Sequence, residues 1–231
     1  MENIYLIGII LFFASFIQGI AGFGSAITAI ALLTFFVPIS FASPMMILSG
    51  LIMNSYIIYR LREAFDFRKF YPIFLGSLGG VPVGVFILVN IDESISLNIL
   101  AAFIFVYSLY SLLIKKPYRL KSSRWGYFFG FISGCFGGAY STNGPPLVVY
   151  TSMQNWDKDD IVITLQVYFL ISAIVILIMQ SLNGLITVDL LKIWSICIPF
   201  QLGGVILGNF FYFKINQKIF KVIIFSILLI I

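Results

Sequence analysis

The chain has 231 residues, of which 61% are hydrophobic and only 10% are charged. Its mean hydropathy of +1.07 is far above that of a soluble domain. The formal net charge of +5 comes from Lys and Arg residues spread over short loops, which indicates membrane orientation rather than nucleic-acid binding. The sequence has no His, two widely separated cysteines and no GxxxxGK motif, so zinc sites, disulfide frameworks and ATPase motors are not expected.

Apolar stretches separated by brief polar loops predict an all-α integral membrane protein. In chain order the predicted segments cover residues 4–18, 25–37, 44–60, 70–90, 96–114, 125–135, 144–153, 161–182, 189–212 and 218–231. The first two segments are short, as are the sixth and seventh, and a glycine-rich stretch separates the members of each short pair. Glycine lowers helix stability and lets the backbone turn, so each pair is predicted to be a broken or re-entrant helix.

Two motifs occur twice in the same order, which predicts an internal duplication. The pattern FIxGxxG begins at Phe16 and again at Phe131, and LGGVxxG begins at Leu78 and again at Leu202. The predicted organisation is a first membrane repeat over residues 1–114, a basic cytoplasmic linker over 115–124 and a second membrane repeat over 125–231. Each repeat is expected to contain one glycine-broken short helix pair and three longer transmembrane helices.

The cations predict how the chain is oriented in the membrane, because Lys and Arg near helix ends are retained in the cytoplasm. Loops 60–69 and 115–124 are strongly basic, whereas the loop with Asp92 and Glu93 between them has no cation. Both basic loops are therefore predicted to be cytoplasmic, in the inner membrane. If each broken pair enters and leaves the membrane on the same face, the second repeat is inverted relative to the first. Inverted repeats place Lys214 and Lys218 in the cytoplasm, whereas parallel repeats would place them outside, so the inverted arrangement is favoured.

Inverted repeats with broken helices are typical of transporters whose substrate site lies near the midplane. The N–H groups at the start of a half-helix bind anions, and no Lys or Arg lies in the middle of a predicted apolar segment, so neutral groups are expected to hold a small anion. The candidate substrate-binding residues are the polar and backbone-exposing residues in and beside the breaks: Gln18, Gly19, Gly22, Gly24, Ser25, Asn54, Ser133, Gly134, Gly137, Gly138, Asn143, Gly144, Pro145 and Gln166.

Close helix packing is the alternative role for the glycines. It is the favoured interpretation of Gly80 and Gly84 in LGGVxxG, whereas the FIxGxxG glycines fit packing and cavity lining equally well. Asn143, followed by Gly144 and two prolines, is expected to cap a helix, with substrate contact as an additional role.

The motifs FIQGIAGFGSA at residues 16–26 and GFISGCFGGAYSTNGPP at 130–146 resemble those of the sulfite exporter TauE/SafE family of membrane transporters. The resemblance, which spans almost the whole chain, implies transport of small sulfur-containing or organic anions such as sulfite and sulfonates across the cytoplasmic membrane. It does not imply which anion is carried.

The leading hypothesis is therefore a secondary transporter that works by alternating access around a site at the repeat interface. An anion channel on the same scaffold and a non-catalytic membrane scaffold subunit are the alternatives. An enzyme is not expected, because the predicted membrane segments contain no plausible acid, base or nucleophile. The expected partners are the lipid bilayer and a small anion, and no cofactor, metal or nucleic acid is expected. A coupling ion, either sodium or a proton, and transport driven by the gradient of the anion alone are both left open, as is homodimer formation.

Overall fold

The computed structural model describes residues 4–21, 24–61, 65–113, 119–120 and 122–211, and every regular element in these ranges is an α-helix. The helices are α1 (Ile4–Ala21), α2 (Ser25–Leu33), α3 (Ile39–Leu61), α4 (Phe67–Asn90), α5 (Glu93–Leu113), α6 (Trp125–Tyr140), α7 (Gly144–Ser152), α8 (Lys158–Leu182) and α9 (Val188–Phe211). The predicted all-helical class is confirmed.

Four of the described helices are long and apolar enough to cross a bilayer. They are α4, α5, α9 and the part of α8 from Asp160 to Leu182. Shorter apolar helical stretches cover Ile4–Ile20 in α1 and Ile39–Ser55 in α3. The predicted tenth segment, 218–231, lies outside the described residues.

Both predicted helix breaks occur, but the second lies further along the chain than expected. Gly24 separates α1 from α2 in a left-handed conformation with φ of 100°. The helix α6 was predicted to end near residue 135 but continues to Tyr140, and it ends where Ser141 turns left-handed with φ of 56°. The break therefore covers residues 141–143. The prediction of an earlier end is wrong because Gly134 and Gly138 remain helical, held against α4.

Close backbone contacts join α6 to α4 and α1 to α9. A Cβ atom added to Gly80 of α4 would overlap the carbonyl oxygen of Phe131 in α6, and one on Gly208 of α9 would overlap that of Phe16 in α1. Only glycine lets helix axes approach this closely, so the packing role predicted for LGGVxxG is confirmed.

Polar contacts identify which helix termini share an end of the bundle. Lys69, near the start of α4, forms an ion pair with Asp160, near the start of α8, at 2.5 Å. At the other end, Glu93 at the start of α5 accepts a hydrogen bond of 2.7 Å from the backbone N–H of Ile39 at the start of α3. We call these the basic end and the acidic end. The helices α3 and α8 pack against each other in opposite directions between them.

An apolar cluster lies where α3, α4 and α8 meet. It contains Ile47, Val81, Val85, Ala173 and Ile176, each at most 4% exposed. This cluster positions α3 and α8, the two helices that carry the polar residues described next.

Candidate functional site

The first polar cluster joins α1, α2 and α3 at the first helix break. Gln18, in the last turn of α1, donates through Nε2 to Oδ1 of Asn54 in α3 at 2.9 Å. The hydroxyl of Ser25, the first residue of α2, donates to Oε1 of the same Gln18. All three side chains are buried. The structure thus brings together three of the predicted site residues, which are separated by up to 36 positions in sequence.

The second polar cluster joins α6, α8 and the segment between α6 and α7. Asn143 donates through Nδ2 to the hydroxyl of Ser172 at 2.9 Å. Ser133 donates to the backbone carbonyl of Asn143 at 2.5 Å, and its oxygen is 3.0 Å from the hydroxyl of Tyr168. Of these four residues, Ser133 and Asn143 were predicted, whereas Tyr168 and Ser172 were missed. Ser172 could have been identified as a small polar residue in a mostly apolar stretch of α8, whereas Tyr168 gave no such signal, because an aromatic residue in an apolar helix is usually a packing residue.

The two clusters lie at similar depth in the bundle. Gln180 of α8 donates to the hydroxyl of Ser43 in α3 at 3.2 Å, which fixes how the two antiparallel helices are aligned. From this contact, at about 1.5 Å per residue, Asn54 is about 16 Å further along α3 and Ser172 is about 12 Å back along α8. The clusters therefore lie against the middle parts of α3 and α8, separated in depth by only about one helical turn.

The predicted glycines divide between packing and the site. A Cβ on Gly19 would lie 2.6 Å from the carbonyl oxygen of Val205, and one on Gly134 would lie 2.6 Å from that of Ser77. Gly138 likewise contacts the backbone of α4. Neighbouring helix backbone thus occupies the side-chain positions of these three glycines.

The remaining predicted residues lie closer to the breaks. A Cβ on Gly137 would lie 2.9 Å from Cβ of Asn143, and one on Gly144 would lie 3.5 Å from the ring of Phe169. Pro145 is buried in the first turn of α7. Gln166 is fully buried two residues before Tyr168, and Gly22 lies outside the described residues.

Asn143 occupies the N-cap position of α7, as predicted, but its side chain makes no capping hydrogen bond. The amide is directed to Ser172 instead. The cap interaction is lost because Asn143 has helical backbone angles, φ of −74° and ψ of −10°, whereas a capping side chain requires an extended backbone.

The two half-helices differ in the backbone donors that they present. The first N–H groups of any helix lack intrahelical acceptors. In α2 these groups belong to Ser25, Ala26 and Ile27, and the first regular bond of that turn runs from Thr28 N–H to Gly24 at 3.2 Å. In α7, Pro145 and Pro146 have no N–H. The start of α2 is therefore the better backbone site for an anion.

The fold defines a multi-pass membrane protein with neutral amides and hydroxyls gathered at two helix breaks. Its residues 7–231 match the family model described as "Sulfite exporter TauE/SafE". The chain belongs to this family of membrane transporters, which confirms the resemblance seen in the sequence and supports a transport role rather than an enzymatic one. No curated protein and no solved structure matches the chain.

Proposed function

We propose that the chain is a secondary transporter of a small oxyanion of the sulfite or sulfonate type. The observation that carries the proposal is the pair of buried, uncharged amide and hydroxyl clusters at similar depth, one at each helix break. Amide N–H and hydroxyl groups can exchange their mutual hydrogen bonds for bonds to oxyanion oxygens without leaving a buried charge when the site is empty. The proposed substrate-binding set comprises Tyr168, Ser172 and the predicted residues other than Gly19, Gly134 and Gly138, which pack on the backbone of neighbouring helices.

Alternating access between two inverted repeats, residues 1–114 and 125–231, would expose this site to each side in turn. Matching contacts support the repeats. Gly134 packs on Ser77 and Val81 of α4, and Gly19 packs on Val205 and Asn209 of α9. Gly19 and Gly134 are 115 positions apart, which is the offset between the two FIxGxxG motifs. The residues that they contact, Val205 in α9 and Ser77 in α4, are 128 positions apart, whereas the two LGGVxxG motifs are 124 apart. The contacts of α9 are thus displaced by four residues, about one helical turn, from the positions that the LGGVxxG repeat would give.

The orientation also has support in the bundle. Arg68, Lys69 and Arg124 lie at the basic end, where α4 and α6 start, whereas Asp92 and Glu93 lie at the acidic end. We propose that the basic end, with loops 60–69 and 115–124, faces the cytoplasm across the inner membrane. A sodium ion or a proton as coupling ion, and assembly as a homodimer, belong to the same proposal.

Ligand-dependent stability of the detergent-purified chain tests the site. Sulfite, thiosulfate, taurine, sulfoacetate, isethionate and short carboxylates are each added with sodium or potassium. A bound anion at a hundredfold excess over its dissociation constant adds about 2.7 kcal/mol to the free energy of unfolding. We expect Gln18→Ala and Asn143→Ala each to weaken affinity for the stabilising anion at least tenfold, or about 1.4 kcal/mol.

The matched control is Gln201→Ala, because Gln201 is equally buried but lies in α9, outside both clusters. This variant is expected to keep the full anion response. Equal responses in all three variants would remove Gln18 and Asn143 from the site. A change in folded yield alone, with no anion response in the parent chain, would favour the scaffold alternative.

A further inference from the structure

A third polar cluster lies beside the second helix break, at the C-terminal end of α6. We call it the Ser43 cluster, and it contains Ser43 of α3, Ser141 after α6 and Gln180 of α8, each at most 4% exposed. The hydroxyls of Ser43 and Ser141 are 2.9 Å apart. Nε2 of Gln180 lies 3.2 Å from the Ser43 hydroxyl and 3.4 Å from the carbonyl oxygen of Gly138.

The hydrogen bonds of the Ser43 cluster leave buried polar atoms without partners. The Ser141 hydroxyl donates to the Ser43 carbonyl at 2.7 Å, so the Ser43 hydroxyl is the donor to Ser141. Oε1 of Gln180 is left without a donor among the described residues. The buried hydroxyl of Thr142, next to Ser141, also has no partner there. Because buried polar atoms are nearly always paired, these atoms indicate that the cluster binds a ligand.

The electrostatics of this position favour a cation. The last carbonyl groups of a helix lack intrahelical donors and carry the negative end of the helix dipole. In α6 they include the Gly138 carbonyl, which faces the Gln180 amide. No Lys or Arg occurs in α6, in residues 39–59 of α3 or in residues 161–182 of α8. A bound cation would therefore meet no fixed positive charge on the helices that form the cluster.

The distances within the cluster fit a small ion coordinated by oxygen. The two contacts of the Gln180 amide are at or beyond the upper end of the usual range for N–H···O hydrogen bonds. Rotating the amide by 180° exchanges its oxygen and nitrogen. Oε1 then faces the Gly138 carbonyl, and two oxygens this close repel each other unless a cation lies between them. Oxygens bound at right angles, each about 2.4 Å from an ion of this size, are about 3.4 Å apart.

The chemistry of the oxygens selects a monovalent ion. Hydroxyl, amide and carbonyl oxygens are neutral, whereas proteins hold divalent cations mainly with Asp and Glu carboxylates. The described residues contain no group of three or more acidic, cysteine or histidine side chains that could hold a metal ion. Carbonyls at the C-terminal ends of half-helices are typical sodium ligands in membrane transporters.

Carboxylates lie close to the Ser43 cluster at the acidic end. Ser43 is four residues beyond Ile39 in α3, a rise of about 6 Å along the helix. The backbone N–H of Ile39 donates to the carboxylate of Glu93 at 2.7 Å, and Asp92 is the preceding residue. Carboxylates raise the local concentration of cations, so a cation is attracted to the end of the bundle that is nearest to the cluster.

We propose that the Ser43 cluster binds a sodium ion. The ligands are the hydroxyls of Ser43 and Ser141, the carbonyl of Gly138 and Oε1 of Gln180. Sodium binding by itself does not depend on the identity of the transported anion. The assignment of this sodium as the coupling ion rests on the proposed function and specifies one of its open parts.

The segment 141–143 connects the sodium ion to the anion. Ser141 is a sodium ligand, and Asn143, two residues further along, donates to Ser172 in the second polar cluster. Sodium bound at Ser141 fixes this short segment and thereby positions Asn143 for the anion. Coupling between two binding sites is reciprocal, so sodium and the anion raise each other's affinity by the same factor.

Sodium alone tests the site. Thermal unfolding of the detergent-purified chain is measured while sodium chloride replaces potassium chloride at constant ionic strength, with no oxyanion present. We expect the melting temperature to rise with sodium and to saturate. Gln180→Leu and Ser43→Ala, two independent variants, are each expected to raise the half-saturating sodium concentration at least tenfold.

The matched control is Gln201→Leu, the same substitution at an equally buried glutamine of α9, outside the cluster. This variant is expected to keep the sodium response of the parent chain. A parent chain that responds equally to sodium and potassium would overturn the proposal. So would a sodium response that survives in the folded Gln180→Leu or Ser43→Ala variant.

Gln180→Glu distinguishes a sodium ligand from a hydrogen-bond donor. An ionised Glu keeps the oxygen but has no proton to donate to Ser43 or Gly138. We expect this variant, at pH 8, to bind sodium at least as tightly as the parent chain. If Gln180 acts only as a donor, the variant is destabilised equally in sodium and potassium, which would contradict the site.

Adding sulfite to the same samples separates the sodium site from the proposed function. We expect sodium to lower the dissociation constant of sulfite at least fivefold in the parent chain and to leave it unchanged in Gln180→Leu. A sulfite response that is equal in both salts, without stabilisation by sodium alone, would overturn the sodium site and leave the transport proposal intact. Stabilisation by sodium that is lost in Gln180→Leu, without any sulfite response, would support the sodium site and contradict the proposed substrate class.

Discussion

At the scale of single residues, two adjacent glycines of α4 have different surroundings. A Cβ on Gly80 would overlap the backbone carbonyl of Phe131, whereas one on Gly79 would lie 3.6 Å from the side chain of that residue. We expect Gly80→Ala to destabilise the protein by about 1–3 kcal/mol, because α4 and α6 must separate. Gly79→Ala is expected to be neutral or stabilising by up to about 1 kcal/mol.

Thermal unfolding of the two purified variants in one detergent checks this expectation. Because the substitutions are chemically identical and one position apart, helix propensity cancels in the comparison. A similar loss of stability in both variants would contradict the assigned packing of α4 against α6.

Single residues also show where sequence reasoning fails. It identified Gln18, Ser25 and Asn54, since polar residues next to a glycine break are conspicuous in an apolar chain. It missed Tyr168 because an aromatic residue in an apolar helix is usually a packing residue, and its hydroxyl becomes informative only when Ser133 is seen 3.0 Å away.

At the scale of helices, the sequence predicted the nine described elements in the right order, because runs of apolar residues are distinctive when bounded by charged loops. The helix α3 begins at Ile39, five residues before the predicted start at 44, because Pro44 lies in the second turn of the helix and does not begin it. The end of α6 was predicted early, because Gly134 and Gly138 look like helix breakers. At these glycines, packing against α4 outweighs their low intrinsic helix propensity. The sequence alone does not show that packing.

The sequence also did not predict which helices pack against each other. Repeats suggest two halves that pack separately, yet α4 packs on α6 and α9 packs on α1. A duplication fixes which elements are equivalent, but it does not determine whether equivalent elements pack within a half or across the two halves.

At the scale of the whole molecule, the position of the charges predicts a membrane orientation. In a background lacking Cys135 and Cys197, we expect Asp92→Cys, at the acidic end, to react with a membrane-impermeant thiol reagent added outside intact cells. Ser122→Cys, at an exposed position in the basic loop 115–124, is expected to react only after the membrane is permeabilised. The reverse labelling pattern would overturn the orientation.

The central claim is that the chain carries an oxyanion by alternating access, and counterflow of radiolabelled sulfite in proteoliposomes tests it most directly. With unlabelled sulfite inside and a trace of label outside, a carrier accumulates label transiently above its equilibrium level. Each export of an unlabelled sulfite exposes the binding site to the outside again, where it binds labelled sulfite and carries it in. We predict such an overshoot, abolished by Asn143→Ala and retained in Gln201→Ala. Label that only relaxes to equilibrium, accompanied by anion currents far faster than carrier turnover, would contradict the account and favour a channel.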